Sequence, residues 1–208
     1  MIKELITRYP ALAVCESDIA EATKAIIECY KAGGKLLLCG NGGSAADCDH
    51  IVGELMKGFL KKRPISDCKK AEMKALNPSV SEDVLNKLQL GLPAVSIPHI
   101  TALNSAFCND VEPEYIYAQG VLALGKKGDI LIAMSTSGNA KNVYAAASVA
   151  KALGVTVISL TGEGGGKLKE LADIAIRVPE KETFKIQELH LPTYHCICAD
   201  VEEYFFEN

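Results

Sequence analysis

His50 and Glu54 lie four residues apart in a stretch with helical apolar spacing, so an imidazole and a carboxylate project from one helix face. Near the C-terminus Gln187 and His195 are eight residues apart, slightly more than two turns, and share a face if that segment is helical throughout. Two imidazoles, one carboxylate and one amide form a donor set for Zn²⁺ or for proton transfer, should the two helices face each other. Each also has a bland role open to it: an exposed helix position for His50, a solvated charge for Glu54, a surface amide for Gln187, a satisfied core histidine for His195. The pattern His50-x-x-x-Glu54 lacks both the Glu directly after the first His and the second His of a zinc protease helix, so a metalloprotease is not supported.

A second chemistry is carried by two turns, Gly40-Asn41-Gly42-Gly43-Ser44 and Ser135-Thr136-Ser137-Gly138-Asn139. Each follows an apolar run and opens a helix-like one. A helix start leaves backbone N–H groups unpartnered and carries the positive end of the dipole, so an anion is welcome there. Hydroxyls at Ser44, Ser135, Thr136 and Ser137 add neutral donors suited to one phosphate ester. Neither turn is a Walker loop or a G-x-G-x-x-G fingerprint, which disfavours a nucleotide. The plain alternative is a pair of ordinary strand-to-helix turns with Ser as N-cap. Asp110 is placed in a loop between two helical stretches, with an N-cap as its bland role. His99 follows Pro98 at a strand end as a capping or site residue, and His190 falls on a different face from His195 and is read as structural.

The elements that must position these groups follow from periodicity. The runs 35–39 and 129–134 are near-continuously hydrophobic, as strands covered on both faces of a parallel sheet are. Further strands are expected over 93–97, 155–160 and 174–178. Helical patterns occupy 12–32, from Ser44 to about Lys62, 139–153 and a short stretch after Gly166. A final helix spans 182–206, with Pro192 as a kink or a late helix start. Alternation of strands and helices predicts an α/β fold with a doubly wound parallel sheet flanked by helices, whose ligands gather at the carboxyl ends of the strands. Residues 1–208 form one domain, and the mixed polar segment 65–92 is expected to be an excursion or lid over the site.

Composition narrows the partners. With 49% hydrophobic and 23% charged residues and a net charge of −4, the chain reads as globular, without a basic footprint for direct nucleic-acid binding. There is no signal-peptide pattern and no apolar stretch of membrane-spanning length, so a cytoplasmic protein is expected. The eight cysteines are scattered and read mostly as small buried hydrophobes, and Cys196-Ile197-Cys198 has no second pair with which to build a zinc site.

Taken in order, Gly40-Asn41-Gly42-Gly43-Ser44-Ala45-Ala46-Asp47, His50-x-x-x-Glu54, Ser135-Thr136-Ser137-Gly138-Asn139, and Ile186-Gln187-Glu188 with His195 resemble the sugar isomerase (SIS) domain of phosphoheptose isomerases over nearly the whole chain. The resemblance implies a flavodoxin-like three-layer sandwich, a homotetramer, zinc, and a small-molecule sugar phosphate as substrate. The reaction it implies converts sedoheptulose 7-phosphate to D-glycero-D-manno-heptose 7-phosphate. Residue by residue, it implies phosphate binding by Ser44, Ser135, Thr136 and Ser137, with Asn41 and Gly42 shaping the first turn. It implies His50, Glu54, Gln187 and His195 as metal ligands, Glu54 and His195 also as the acid/base pair, and Asp110 and Gln187 among the substrate contacts. Two departures stand out: Ala140 where many members carry another Ser, and a 65–92 segment longer than the family pattern. The alternatives are an isomerase of another sugar phosphate and non-catalytic SIS proteins, either a branch binding the replication initiator DnaA or phosphosugar-sensing regulators. The four-residue donor set favours the enzyme, and a regulator's helix-turn-helix domain is absent from the sequence.

Overall fold

The computed structural model describes residues 1–206. Its centre is a five-stranded, wholly parallel sheet: β1 (Leu36–Cys39), β2 (Ala94–Ser96), β3 (Ile130–Met134), β4 (Thr156–Gly162) and β5 (Ile174–Val178), in spatial order β2-β1-β3-β4-β5. This is the flavodoxin-like order, in which the chain reverses its winding direction between β1 and β3. The expected doubly wound fold is therefore the observed one.

Successive strand residues face opposite layers. Leu36, Leu38, Ile130 and Ile132 pack into one core beneath α1 (Ile2–Arg8), α2 (Glu16–Lys31), α3 (Gly43–Met56) and α10 (Thr183–Phe205). Leu37, Cys39, Leu131 and Ala133 pack into the other, under α7 (Ile116–Leu124), α8 (Lys141–Ala152) and α9 (Leu168–Leu171). Burial on both faces explains why these strands read as continuous apolar runs instead of alternating ones. The remaining helices, α4 (Asp67–Leu76), α5 (Glu82–Lys87) and α6 (Thr101–Asp110), lie between β1 and β3 in sequence.

Three expectations change. The helix expected to run to about Lys62 stops at Met56, because the buried Arg63 guanidinium turns back and donates to the carbonyls of Leu55 (2.6 Å) and Glu54 (3.0 Å), capping the helix end. Glu202 secures the same bend, accepting backbone N–H bonds from Phe59, Leu60 and Lys61. Asp110 is the last residue of α6, not a loop residue or an N-cap, and Asn109 donates to its carboxylate at 2.8 Å. Finally, α10 is a single helix from Thr183 onward with Pro192 inside it, so the late start is not used.

The excursion 65–92 folds as α4 and α5, each started by a serine whose side chain accepts an N–H bond, Ser66 from Lys69 and Ser81 from Val84. Its backbone ties run to the C-terminal end of α3, through Leu92 N–H to Leu55, and to the bend beyond it, through Leu90 N–H to Arg63. None of its residues lines the cavity at the strand mouths described below. All eight cysteines are unpaired thiols; six are buried, while Cys68 and Cys108 are exposed. Among the described residues no helix is long and apolar enough to cross a membrane.

Candidate active site

The two glycine-serine turns leave β1 and β3 side by side at the reversal point and enclose one cavity of about 370 Å³. Asn41, Gly42, Gly43 and Ser44 line it from the first turn, Ser135, Thr136 and Ser137 from the second, and Thr183 and Gln187 from the start of α10. Ser44 is not the cap of α3, as the bland reading would have it. The cap position is Gly42, with φ +54°, and no side chain caps the helix start. Gly138, at φ +67°, is required by space as well: a Cβ there would come within 2.0 Å of the Gly165 carbonyl oxygen. The loop Gly164–Gly166 thereby presses against the second turn.

The first turn is bolted to the start of α8, the helix that follows the second turn, and to α7. Asn41 Nδ2 donates to Asn142 Oδ1 and Asn142 Nδ2 donates back to Asn41 Oδ1, both at 2.9 Å. Tyr117 adds its hydroxyl to the Gly40 carbonyl (2.8 Å) and to Asn41 Oδ1 (3.0 Å). The Asn41 amide is thus fully engaged by Asn142 and Tyr117. Tyr117 and Asn142 escaped the sequence reading because only tertiary contact gives them this function.

The second station lies further along the same seam. His50 Nε2 is 3.1 Å from Glu54 Oε1 and 3.3 Å from His195 Nε2, and ligand atoms of all three fall within 4.8 Å of one another. The expected pairing of the two helices is realised for these three. Gln187 stands elsewhere: a Cβ on Gly43 would meet its Nε2 at 2.6 Å, which puts its amide over the start of α3. From there to His195 is about 12 Å along the helix axis. Gln187 lines the phosphate-type cavity.

Asp110 lines neither station and is engaged with its neighbour Asn109. His99 pairs with Asp49, Nδ1 to Oδ1 at 2.6 Å. His190 is fully buried, with Nε2 3.3 Å from the Thr161 carbonyl, and burial pulls its pKa down to about 4, so it is the neutral structural histidine expected.

Electrostatics favour a cation at the second station. Burial, and then the neighbouring His50, lower the pKa of His195, which leaves its ring neutral and able to offer a lone pair at neutral pH. The Tyr194 hydroxyl lies 2.9 Å from His50 Nδ1 and 3.1 Å from Asp47 Oδ1, and burial raises its pKa so that it remains a phenol. Two imidazole nitrogens and a carboxylate oxygen converging at near-contact distance bring lone pairs together, an arrangement that a divalent metal relieves. The donor set is a histidine-rich one with a carboxylate, suited to zinc, and three protein ligands leave a position for substrate.

A parallel sheet with hydroxyl-rich turns meeting at its reversal point and a metal-type cluster beside them defines a phosphosugar-binding SIS domain, and SIS domain models match residues 10–84 and 98–194. The phosphoheptose isomerase of Rhodospirillum rubrum is 38% identical over 92% of this chain and 88% of its own length. That of Aneurinibacillus thermoaerophilus is 40% identical over 90% and 81%. The solved phosphoheptose isomerase of Francisella tularensis superimposes with a TM-score of 0.77 at 31% identity, covering 97% of this chain and 94% of that one. The chain belongs to the phosphoheptose isomerase family and is an isomerase enzyme.

Proposed function

We propose that this chain interconverts sedoheptulose 7-phosphate and D-glycero-D-manno-heptose 7-phosphate, with zinc as its cofactor. The observation that carries this reading is the common seam of α3 and α10. Gly43 faces Gln187 at one end and His50 faces His195 at the other, seven residues or about 10 Å further along α3. A ligand whose phosphate rests on the turns must be elongated to bring its reacting carbons to His50, Glu54 and His195. A seven-carbon sugar with its phosphate on the terminal carbon has that shape.

His50, Glu54 and His195 would hold the zinc. When bound, zinc supplies Lewis-acid polarisation of the substrate carbonyl and stabilises negative charge developing on oxygen. Ser44, Ser135, Thr136, Ser137 and the start of α3 anchor the phosphate, with Gln187 reaching over the same cavity. That anchoring, remote from the reacting carbons, orients the chain for proton transfer. Glu54 serves as base: it takes a proton from one carbon of the ketose and returns it to the neighbouring carbon. Its Oε1 faces His50 at 3.1 Å and its Oε2 lies 3.4 Å from the Lys57 ammonium, so the carboxylate exchanges one of these contacts for the substrate proton. His195, whose Nε2 faces the metal position, serves the adjoining oxygens as the acid through the one proton its neutral ring carries, on Nδ1. A homotetramer in the cytoplasm accompanies this reading, and light scattering of the purified protein checks the mass.

The deciding test is turnover of sedoheptulose 7-phosphate before chelation, after chelation and after zinc return, beside a panel of other ketose phosphates. Chelation is expected to remove activity and zinc to restore it. Activity indifferent to chelation would sink the zinc assignment, and turnover of other sugars alone would move the substrate. At the other end of the seam, Ser137→Ala is expected to raise KM about tenfold, the loss of one hydrogen bond to a charged group, with kcat little changed. An unchanged KM with less bound zinc would refute the phosphate role.

A further inference from the structure

Tyr194 is the residue immediately before His195, and its side chain lies between two groups of α3. Its ring sits edge-on to the His50 ring, with centroids 5.5 Å apart, and its hydroxyl contacts both His50 Nδ1 (2.9 Å) and Asp47 Oδ1 (3.1 Å). Asp47 and His50 are one helical turn apart, so α3 presents carboxylate and imidazole to the same hydroxyl. Tyr194 is 2% exposed, so its hydroxyl takes its partners from α3, while the His50 side chain beyond it is 42% exposed.

The proton count is restrictive. A phenol carries one proton, and an ionised carboxylate can only accept. If Tyr194 donates to Asp47, its oxygen is left to accept from His50, and that requires the proton of His50 to be on Nδ1. Nε2 is then bare, and Nε2 is the atom that points at Glu54 Oε1 and His195 Nε2. The opposite tautomer would place an N–H on the atom needed as a ligand and leave a lone pair facing a hydroxyl already committed to Asp47.

We propose that Tyr194 and Asp47 are positioning residues that fix the tautomer and ring orientation of His50, so that its Nε2 lone pair is aimed at the metal position. The inference rests on the metal role proposed above. The two residues touch neither substrate nor metal and act through His50. Partners of this kind behind a metal-binding histidine typically contribute 10–100-fold to metal affinity.

The test is a competition titration of purified protein with a zinc chelator, together with the visible spectrum of the cobalt-loaded form. Tyr194→Phe keeps the ring that packs against His50 and His195 and removes only the hydroxyl. It is expected to weaken zinc binding about 10- to 100-fold and to alter the cobalt spectrum, while affinity for inorganic phosphate at the turns is unchanged. Asp47→Asn is expected to weaken zinc binding in the same direction, and the double variant to lose little beyond the larger single effect, since both act through one chain of hydrogen bonds. Should Tyr194→Phe bind zinc as tightly as the parent with the same cobalt spectrum, the tyrosine is packing alone and the inference fails while the metal site stands. Should zinc uptake by the parent be indifferent to His50→Ala, the metal reading fails and takes this inference with it.

Discussion

Glu54→Gln is expected to lower isomerase turnover by at least the 10²–10⁴-fold that a positioned general base typically contributes. The substitution keeps the size and hydrogen-bonding reach of the side chain and removes only its ability to take a proton. Glu54 is 13% exposed and lies 3.1 Å from His50, so little solvent stands ready to replace it as base. The phosphate cavity lies about 15 Å away along α3 and does not include it, so affinity for the phosphate ester should be nearly unchanged. The measurement is kcat on sedoheptulose 7-phosphate beside the Kd of the same ester by calorimetry, with incorporation of solvent deuterium at the reacting carbons as a direct readout of the base. A parallel zinc titration separates loss of proton transfer from loss of metal, because Glu54 is also one of the proposed ligands. Turnover equal to the parent's would remove Glu54 from the reaction. Loss of turnover with deuterium exchange intact would shift its role to the oxygens.

Much of this was visible in the sequence because it depends on local pattern. A buried parallel strand must be apolar on both faces, so β1 and β3 announced themselves, and the glycine-serine turns after them marked the strand mouths. The i, i+4 spacing of His50 and Glu54 needed only a helix. The errors arose where tertiary contact overrides local preference. Within residues 57–62 only Gly58, just past the cap position, signals that α3 stops at Met56, and the stop is secured by Arg63 from ahead in the chain and by Glu202 from a distant helix. Gln187 and His195 share a face because eight residues return nearly to it, and the same eight residues add about 12 Å of rise, a separation that face periodicity does not convey. Tyr194 was overlooked because a tyrosine beside a histidine on α10 acquires meaning only when Asp47 is seen across from it.

The other large effect is expected at Arg63, whose side chain is fully buried with that of Glu202 at 1% exposure, Nε to Oε1 at 2.8 Å. Arg63→Met fills similar space without charge and strands the carboxylate, so unfolding free energy in urea should drop by about 3–5 kcal/mol, the usual cost of removing one partner from a buried ion pair. Three backbone N–H donors from residues 59–61 still reach Glu202, which argues for the lower end of that range. The pH dependence gives a second check. Burial alone would raise the pKa of Glu202, but the backbone donors and Arg63 outweigh it and hold the group below its ordinary 4.5. A lowered folded pKa means that the stabilisation is complete above the unfolded value and is lost as pH falls through the folded one. In Arg63→Met the carboxyl should protonate at higher pH, so the stability gap between variant and parent should be widest near neutrality and shrink in acid. A gap under about 1 kcal/mol, or one that widens in acid, would mean that the pair is not what holds this corner, given that exposed pairs contribute no more than that. Because Arg63 also holds the Glu54 carbonyl at 3.0 Å, the same substitution loosens the end of α3 that carries the proposed base. Lost activity in a variant that remains folded would therefore trace a path from the buried pair to the site.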